Sequence, residues 1–253
     1  MKAALRVPME MEAVAPGPRT LDAEAAAYVS RVHRLGPGDR LVVFDPERGI
    51  EADAEIVEAG KRAVTVLVGP ARPASVPALR PVTLIQGVGK GDKMDGIVRD
   101  ATELGATRLV PALCARSVAR PDAARSARWR RIAVEAARQC GRGDAPVIEA
   151  PLGFEEALGT AGAGTLLCLD PRAGIRLGGT LARLGPEPVV LAVGPEGGFT
   201  DEELAAAERA GFTRVTLGPL VLRTETVCAA VLGAILAFAD LGPPRDDMLP
   251  SPA

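Results

Sequence analysis

From Val189 five apolar residues run without interruption to Val193, and Gly194-Pro195-Glu196-Gly197-Gly198 then breaks the run. A short apolar stretch bounded by turn residues predicts a buried strand. Thr200 and Glu203 follow in the S/T-x-x-E spacing of a capping box, which predicts a helix from about Asp201 to Ala210. Gly211 closes that helix, because glycine tolerates the left-handed position after the last turn. The pattern then repeats: Arg214–Leu217 predicts a second strand, Gly218-Pro219 a second glycine turn, and Leu220–Thr226 leads into an apolar helix over Val227–Leu241. Two strand–glycine turn–helix moves in one α/β sheet place backbone N–H groups at the carboxyl ends of neighbouring strands, where open α/β sheets bind ligands.

Upstream the periodicity changes character. Thr20 or Asp22 can cap a helix whose apolar positions include Ala25, Val29 and Val32, and Gly36-Pro37-Gly38-Asp39 ends it. Leu41–Phe44, the alternating 51–58 and Ala63–Val68 read as short strands joined by tight turns, the pattern of a small barrel or sandwich. Pro70, Pro73, Pro77 and Pro81 punctuate the next stretch without periodicity and mark a linker, so the expected division is 1–72, a 73–81 linker and 82–253. Beyond it strands at Val82–Gln86, Arg108–Leu113 and Thr165–Leu169 alternate with helices at Met94–Leu104 and Trp129–Cys140. That alternation predicts α/β architecture with a mainly parallel sheet.

Composition narrows the chemistry. The chain has 253 residues, 47% hydrophobic and 25% charged, enough for a sizeable core. Aromatics make up 3%, which argues against broad stacking of nucleic-acid bases. Cys114, Cys140, Cys168 and Cys228 are far apart, without a C-x-x-C pair, and His33 is the only histidine, so no metal site is expected and no disulfide framework is indicated. With a single histidine beside Arg34, a His-dependent nucleophile is disfavoured and His33 reads as a surface or packing residue. No signal-like apolar region opens the chain and Val227–Ala239 is too short to span a bilayer, so a cytoplasmic protein is expected.

The net charge of −2 conceals an asymmetry. Residues 80–143 carry thirteen Arg and Lys against six Asp and Glu, while 144–253 carry seven against fifteen. The basic middle keeps nucleic acid open as a partner, against the alternative of a solvated helix face. Lys90 and Lys93 lie in a loop that either approaches an RNA backbone or simply joins strand to helix; it lacks the spacing of a phosphate-binding P-loop. Arg116 follows a strand at a possible ligand edge, and Arg130 and Arg131 could grip phosphates or lie along an amphipathic helix. With Arg142 these are the residues assigned to RNA.

Together, GPEGGFTDEEL, LGPLVLRTET, KGDKMDGIVRDATELGATRLVP and EAARQCGRGDAP resemble the RsmE family of 16S ribosomal RNA methyltransferases, which methylate N3 of a uridine with S-adenosylmethionine. The resemblance covers nearly the whole chain and is strongest over 82–241. It implies a PUA-like N-terminal β-barrel domain, a C-terminal SPOUT domain with a trefoil knot, and a homodimer with the cofactor near the subunit interface. The family's three cofactor loops match Leu169-Asp170, Gly194–Gly198 and Leu217–Thr224 here, which makes Leu169, Gly194, Glu196, Gly197, Leu217, Gly218, Leu222 and Thr224 the expected cofactor residues. Leu220 departs from the pattern, since members often carry a basic residue after LGP.

N3 of uridine must lose a proton before it accepts a methyl group. Glu196 and Glu225 are the carboxylates at hand, and burial would raise their basicity. Arg223 is the expected stabiliser of the deprotonated base or of a phosphate, with Glu225 as its possible partner. Because N3 lies on the Watson–Crick edge, the target has to be unpaired or flipped out. Two alternatives are a transferase acting on another nucleotide, disfavoured by the missing Walker and G-x-G-x-x-G signatures, and a non-catalytic RNA-binding protein, disfavoured by the intact GPEGG and LRTET.

Overall fold

The computed structural model describes residues 4–10, 15–60, 63–76 and 80–238, and within them the chain builds two separate sheets. The first consists of β1 (Leu5–Pro8), β2 (Gly17–Thr20), β3 (Arg40–Asp45), β4 (Ile50–Ala59), β5 (Val64–Val68) and β6 (Arg72–Pro73). Its order is β1-β3-β4-β5-β2, with β6 added beside β4; β1 runs parallel to β3 and the other pairs are antiparallel. Along β4 the buried residues Ala52, Ala54 and Ile56 alternate with exposed ones, the period-two pattern of a sheet with one covered face.

Helix α1 (Ala23–Ala27) covers that face. Of the two candidate caps, Asp22 is used: its carboxylate accepts from the Ala25 N–H at 2.7 Å. The chain then widens into a π turn over Tyr28–Val32. The wider turn shifts the register, so Ala26 and Val29 face the core while Val32, expected to be apolar-facing, is 66% exposed. His33 packs edge-on against the Tyr28 ring, a local packing role.

The second sheet is the larger. Its strands are β7 (Val82–Gly87), β8 (Arg108–Leu113), β9 (Val147–Ile148), β10 (Leu152–Gly153), β11 (Thr165–Leu169), β12 (Val189–Val193) and β13 (Thr213–Val215). They run in the order β10-β8-β7-β12-β11-β13, with β9 also beside β8, and every pair is parallel. Helices α2 (Lys93–Glu103), α3 (Ala123–Cys140), α5 (Leu177–Leu181) and α7 (Thr224–Phe238) cover one face, and α4 (Phe154–Gly159) and α6 (Asp201–Arg209) the other. β12 serves both cores: Val189, Leu191 and Val193 join the first, Val190 and Ala192 the second. Such two-sided burial is why this strand is an unbroken apolar run.

Trp129 shows how the basic helix is seated. It is fully buried, with its indole N–H donating to Asp95 at 3.1 Å, and Asp95 also pairs with Arg128. α3 is therefore an amphipathic element anchored by its tryptophan, and it starts six residues before the expected Trp129 boundary, at Ala123, on an Asp122 cap. α7 begins at Thr224 rather than Val227, and the end expected at Leu241 lies outside the described residues.

Between the two sheets the contacts are polar and specific. Arg6, paired with the buried Glu51 of its own sheet at 2.9 Å, reaches across to the Arg142 carbonyl, Ala145 N–H donates to the Pro46 carbonyl, and Gly143 N–H to the Val76 carbonyl. Ser75 and Arg72 also donate to Glu51, so the stretch expected to be a bare linker is stitched to β4 on its N-terminal side. Residues 77–79 of that stretch lie outside the described residues.

Candidate cofactor and catalytic site

The register of the parallel sheet brings three strand ends together. Cys168 of β11 lies opposite Ala192 of β12 on one side and Arg214 of β13 on the other. The segments that leave these ends are Leu169-Asp170, Gly194–Gly198 and Leu217–Thr224, and they enclose a cavity of about 220 Å³. Of the residues expected at the cofactor, Leu169, Gly194, Glu196, Gly197, Leu217, Leu222 and Thr224 line it. Gly218 is the one outside the lining; its φ of +152° has a conformational rather than a contact role. Gly197 likewise has a local reason: a Cβ there would come within 3.1 Å of the Arg116 side chain.

A buried polar network holds two of these loops together from below. Burial pushes the Cys228 thiol pKa upward, and its S–H donates to Gln86 Oε1 at 2.7 Å. Gln86 Nε2 donates to Thr224 Oγ1 at 3.0 Å, and the Thr224 hydroxyl donates to the Gly194 carbonyl at 2.7 Å. In a dry interior such a chain of hydrogen bonds is strengthened along its length. Gly87 allows the close approach, since a Cβ at that position would stand 2.5 Å from the Pro195 nitrogen. Thr224 thus lines the cavity while its hydroxyl is committed to the Gly194 loop.

On the third strand end, Asp170 is buried and saturated. One oxygen accepts from Arg172 N–H, the other from Arg214 Nε at 3.1 Å and Nη2 at 2.5 Å. Burial raises its carboxyl pKa, but the Arg172 N–H and the Arg214 guanidinium outweigh burial and hold it below the ordinary range.

The candidate catalytic carboxylates do not behave as the sequence led us to expect. Glu196 accepts from Lys90 N–H at 3.0 Å and lies 3.3 Å from the Lys93 ammonium. Burial pushes its pKa up, yet its own backbone N–H, the Lys90 N–H and Lys93 together bring it below the ordinary range. Glu196 is therefore a held anion and a poorer base than burial alone would make it. Glu225 pairs with Lys93 at 3.6 Å and not with Arg223. Arg223 is exposed, between the cavity residues Leu222 and Thr224, and its guanidinium has no partner among the described residues.

The basic residues assigned to RNA divide into two groups. Lys90, Arg130 and Arg131 are exposed and their side chains are unpaired among the described residues. Arg130 and Arg131 lie on a cleft of about 910 Å³ between α3 and the N-terminal residues Val7 and Tyr28. The others are engaged within the protein. Arg116 donates to the carbonyls of Gly197 at 2.7 Å and Phe199 at 3.2 Å, so it braces the glycine loop. Lys93 is the cation of the Glu196–Glu225 pair. Arg142 has to be withdrawn from the RNA surface: it is 5% exposed, and its guanidinium donates to the Thr102 and Ala106 carbonyls and to Asp144. A buried guanidinium with all three nitrogens engaged by protein acceptors closes the C-terminal side of α2 and is not presented to a phosphate.

Comparison with known proteins fits this arrangement. A family model described as an RNA methyltransferase domain matches residues 77–236, and one described as an RNA methyltransferase PUA domain matches residues 21–69. The ribosomal RNA small subunit methyltransferase E of Synechocystis is 34% identical over 241 residues, covering 94% of this chain and 78% of its own length. The chain belongs to the ribosomal RNA small subunit methyltransferase E family. The Mycobacterium tuberculosis member is 35% identical over 225 residues, with 85% of this chain and 84% of its own length covered. Among solved structures, the Neisseria gonorrhoeae member bound to S-adenosyl methionine superposes with a TM-score of 0.85 at 29% identity, over 93% of this chain and 98% of that one. A putative methyltransferase from Legionella pneumophila with S-adenosylmethionine bound gives 0.84 at 28% identity, over the same shares.

Against the family pattern, Leu220 stands at the cavity edge 73% exposed, and Val221 beside it 84%. Gln86 has a clear place in this site and escaped the sequence reading, although a long polar side chain inside an apolar strand was a signal; Asp170 was read as part of a cofactor loop, but its pairing with Arg214 carried no signal, because Arg214 is remote in sequence.

Proposed function

We propose that this chain methylates N3 of a specific uridine in 16S ribosomal RNA of the small subunit, using S-adenosylmethionine, in the cytoplasm. The observation that carries this reading is the cavity built by three loops at adjacent parallel strand ends, in a chain whose fold matches S-adenosylmethionine-bound relatives nearly end to end. The cavity fits the cofactor in kind: Leu169, Leu217 and Leu222 offer apolar walls for a nucleoside, and Gly194, Gly197 and Gly198 offer backbone groups without side chains in the way. When bound, S-adenosylmethionine supplies an electrophilic methyl group.

The chain's own residues have the acceptor to prepare. Most of the acceleration comes from holding an unpaired uridine with N3 in line with the donor. The N3 proton leaves to a carboxylate or to water; the two carboxylates at hand are Glu196, which lines the cavity, and Glu225, next to the lining residue Thr224. Arg223, unpaired at the cavity rim, stabilises the negative charge left on the base. Lys90, Arg130 and Arg131 hold RNA phosphates.

The division into a 1–72 RNA-docking domain, a 73–81 linker and an 82–253 methyltransferase domain is supported by two sheets that share no strand. A knotted connection is supported by the return of the chain from β13 at the sheet edge to Thr224 under Gly194 at its centre. A homodimer is supported by the cavity itself. Its volume is below the roughly 300–1,000 Å³ of most ligand sites, and Leu220 and Val221 form an exposed apolar rim that a partner would cover.

The test is methyl transfer from labelled S-adenosylmethionine to unmodified small subunits and to free 16S RNA, mapped by nucleotide. Label at a single uridine N3 is expected. Label on another base, or binding of a different nucleotide in place of S-adenosylmethionine by calorimetry, would sink the proposal.

A further inference from the structure

Lys93 occupies the first position of α2, where the free N–H groups form the positive pole of the helix. A cation is disfavoured there, so helix stability does not explain it. Its surroundings do. The ammonium lies 3.3 Å from Oε1 of Glu196 and 3.6 Å from Oε2 of Glu225. One carboxylate belongs to the loop after β12, the other to the first turn of α7. Two carboxylates facing one point repel unless a cation stands between them. Oε2 of Glu225 is buried without a hydrogen bond, which leaves Lys93 as its counter-charge among the described residues.

The same short segment grips Glu196 a second time. Lys90 N–H donates to it, and Gly89 leaves the room, since a Cβ there would be 3.1 Å from the carboxylate. Residues 89–93 therefore wrap Glu196 and, through Lys93, reach α7. Glu196 lines the cofactor cavity, and so does Thr224, the residue before Glu225.

We propose that Lys93 is a positioning residue for cofactor binding: its ammonium ties the Gly194–Gly198 loop to the N-terminus of α7 and holds two walls of the cavity at a fixed separation. The proposal rests on reading that cavity as the S-adenosylmethionine site. It reassigns a lysine that the sequence alone gave to RNA.

Calorimetry of S-adenosylmethionine binding to the full chain, without RNA, tests it. Lys93→Met should raise the dissociation constant about fivefold, the effect of a partly exposed ion pair worth on the order of 1 kcal/mol. Lys93→Arg should restore most of the affinity. Glu225→Gln, which keeps the shape and removes the charge, should weaken binding to a similar extent even if Lys93→Met does not fold. Combining Lys93→Met with Glu225→Gln should add little to either, because each removes the same pair. An unchanged dissociation constant in Lys93→Met or in Glu225→Gln, or fully additive losses, would overturn the proposal. So would a Lys93→Met chain that binds S-adenosylmethionine normally and needs only more RNA, which would make Lys93 a phosphate contact. Absence of S-adenosylmethionine binding by the unaltered chain is the distinct result that would remove the functional reading beneath it.

Discussion

Arg223 and Arg130 are both exposed arginines without a partner among the described residues, yet they stand in different places. Arg223 is flanked by two cavity residues, Leu222 and Thr224, whereas Arg130 and its neighbour Arg131 lie on the cleft between α3 and the N-terminal sheet. A charge that acts on the reacting base stabilises the transition state, and its loss appears in kcat. Arg223→Ala should lower turnover at saturating RNA on the order of 100-fold, the scale of losing one donor to a developing anion. Replacing Arg130 and Arg131 together by Ala should raise the RNA concentration required and flatten its dependence on salt, because fewer phosphates are neutralised. Steady-state kinetics at two salt concentrations separate the cases. If Arg223→Ala altered only the RNA requirement, with turnover intact, its catalytic assignment would be wrong.

Among the elements, α6 is the one whose start was set by local chemistry and then given a second task. Thr200 accepts from Glu203 N–H at 3.2 Å, and the Glu203 carboxylate accepts from Thr200 N–H at 2.8 Å, completing the capping box. The other Glu203 oxygen accepts from Ala115 N–H at 2.7 Å, which fastens the loop after β8 beside the glycine loop. Thr200→Ala removes only the cap and should cost about 1 kcal/mol. Glu203→Ala removes two charge-assisted hydrogen bonds and should cost more, roughly 2–3 kcal/mol. Denaturant unfolding of the two variants measures the difference; equal losses would mean that the Ala115 contact contributes nothing. α6 was legible because its signals lie within four residues. The short strands β1, β2 and β6 were not, since LRVP, GPRT and RP lack a pattern of their own and become strands by pairing with β3, β5 and β4.

For the whole molecule, the remaining question is what covers the cavity's outer wall. Leu220 and Val221 are exposed there, and along α7 Thr226, Ala230, Ala237 and Phe238 are exposed as well. Thr226, Ala230 and Ala237 are separated by four and seven residues, so they share one face of the helix. A second copy of the chain would bury both features by two-fold symmetry. Multi-angle light scattering at micromolar concentration should therefore give twice the 26.1 kDa chain mass. Leu220→Glu with Val221→Glu should shift the population towards monomer and weaken S-adenosylmethionine binding together. A monomeric unaltered chain would remove the dimer and leave the site open on that side.

The sequence by itself determined what depends on near neighbours. The strand at Val189–Val193, the cap at Thr200, the left-handed glycine at 211 and the alternation of strand and helix after Val82 follow from side-chain period, local hydrogen bonding and steric freedom within a few residues. The family resemblance, carried by contiguous motifs, pointed to the three loops that meet at the cavity. Tertiary structure alone decided what each charge faces. Lys93 and Arg142 sit in the same basic segment as Arg130, yet one joins two carboxylates and another is buried against the end of α2. Glu196 and Asp170 became held anions through partners on other strands and loops. The physical reason is that electrostatic energy depends on distance and burial in space, and neither is a property of a residue's position along the chain.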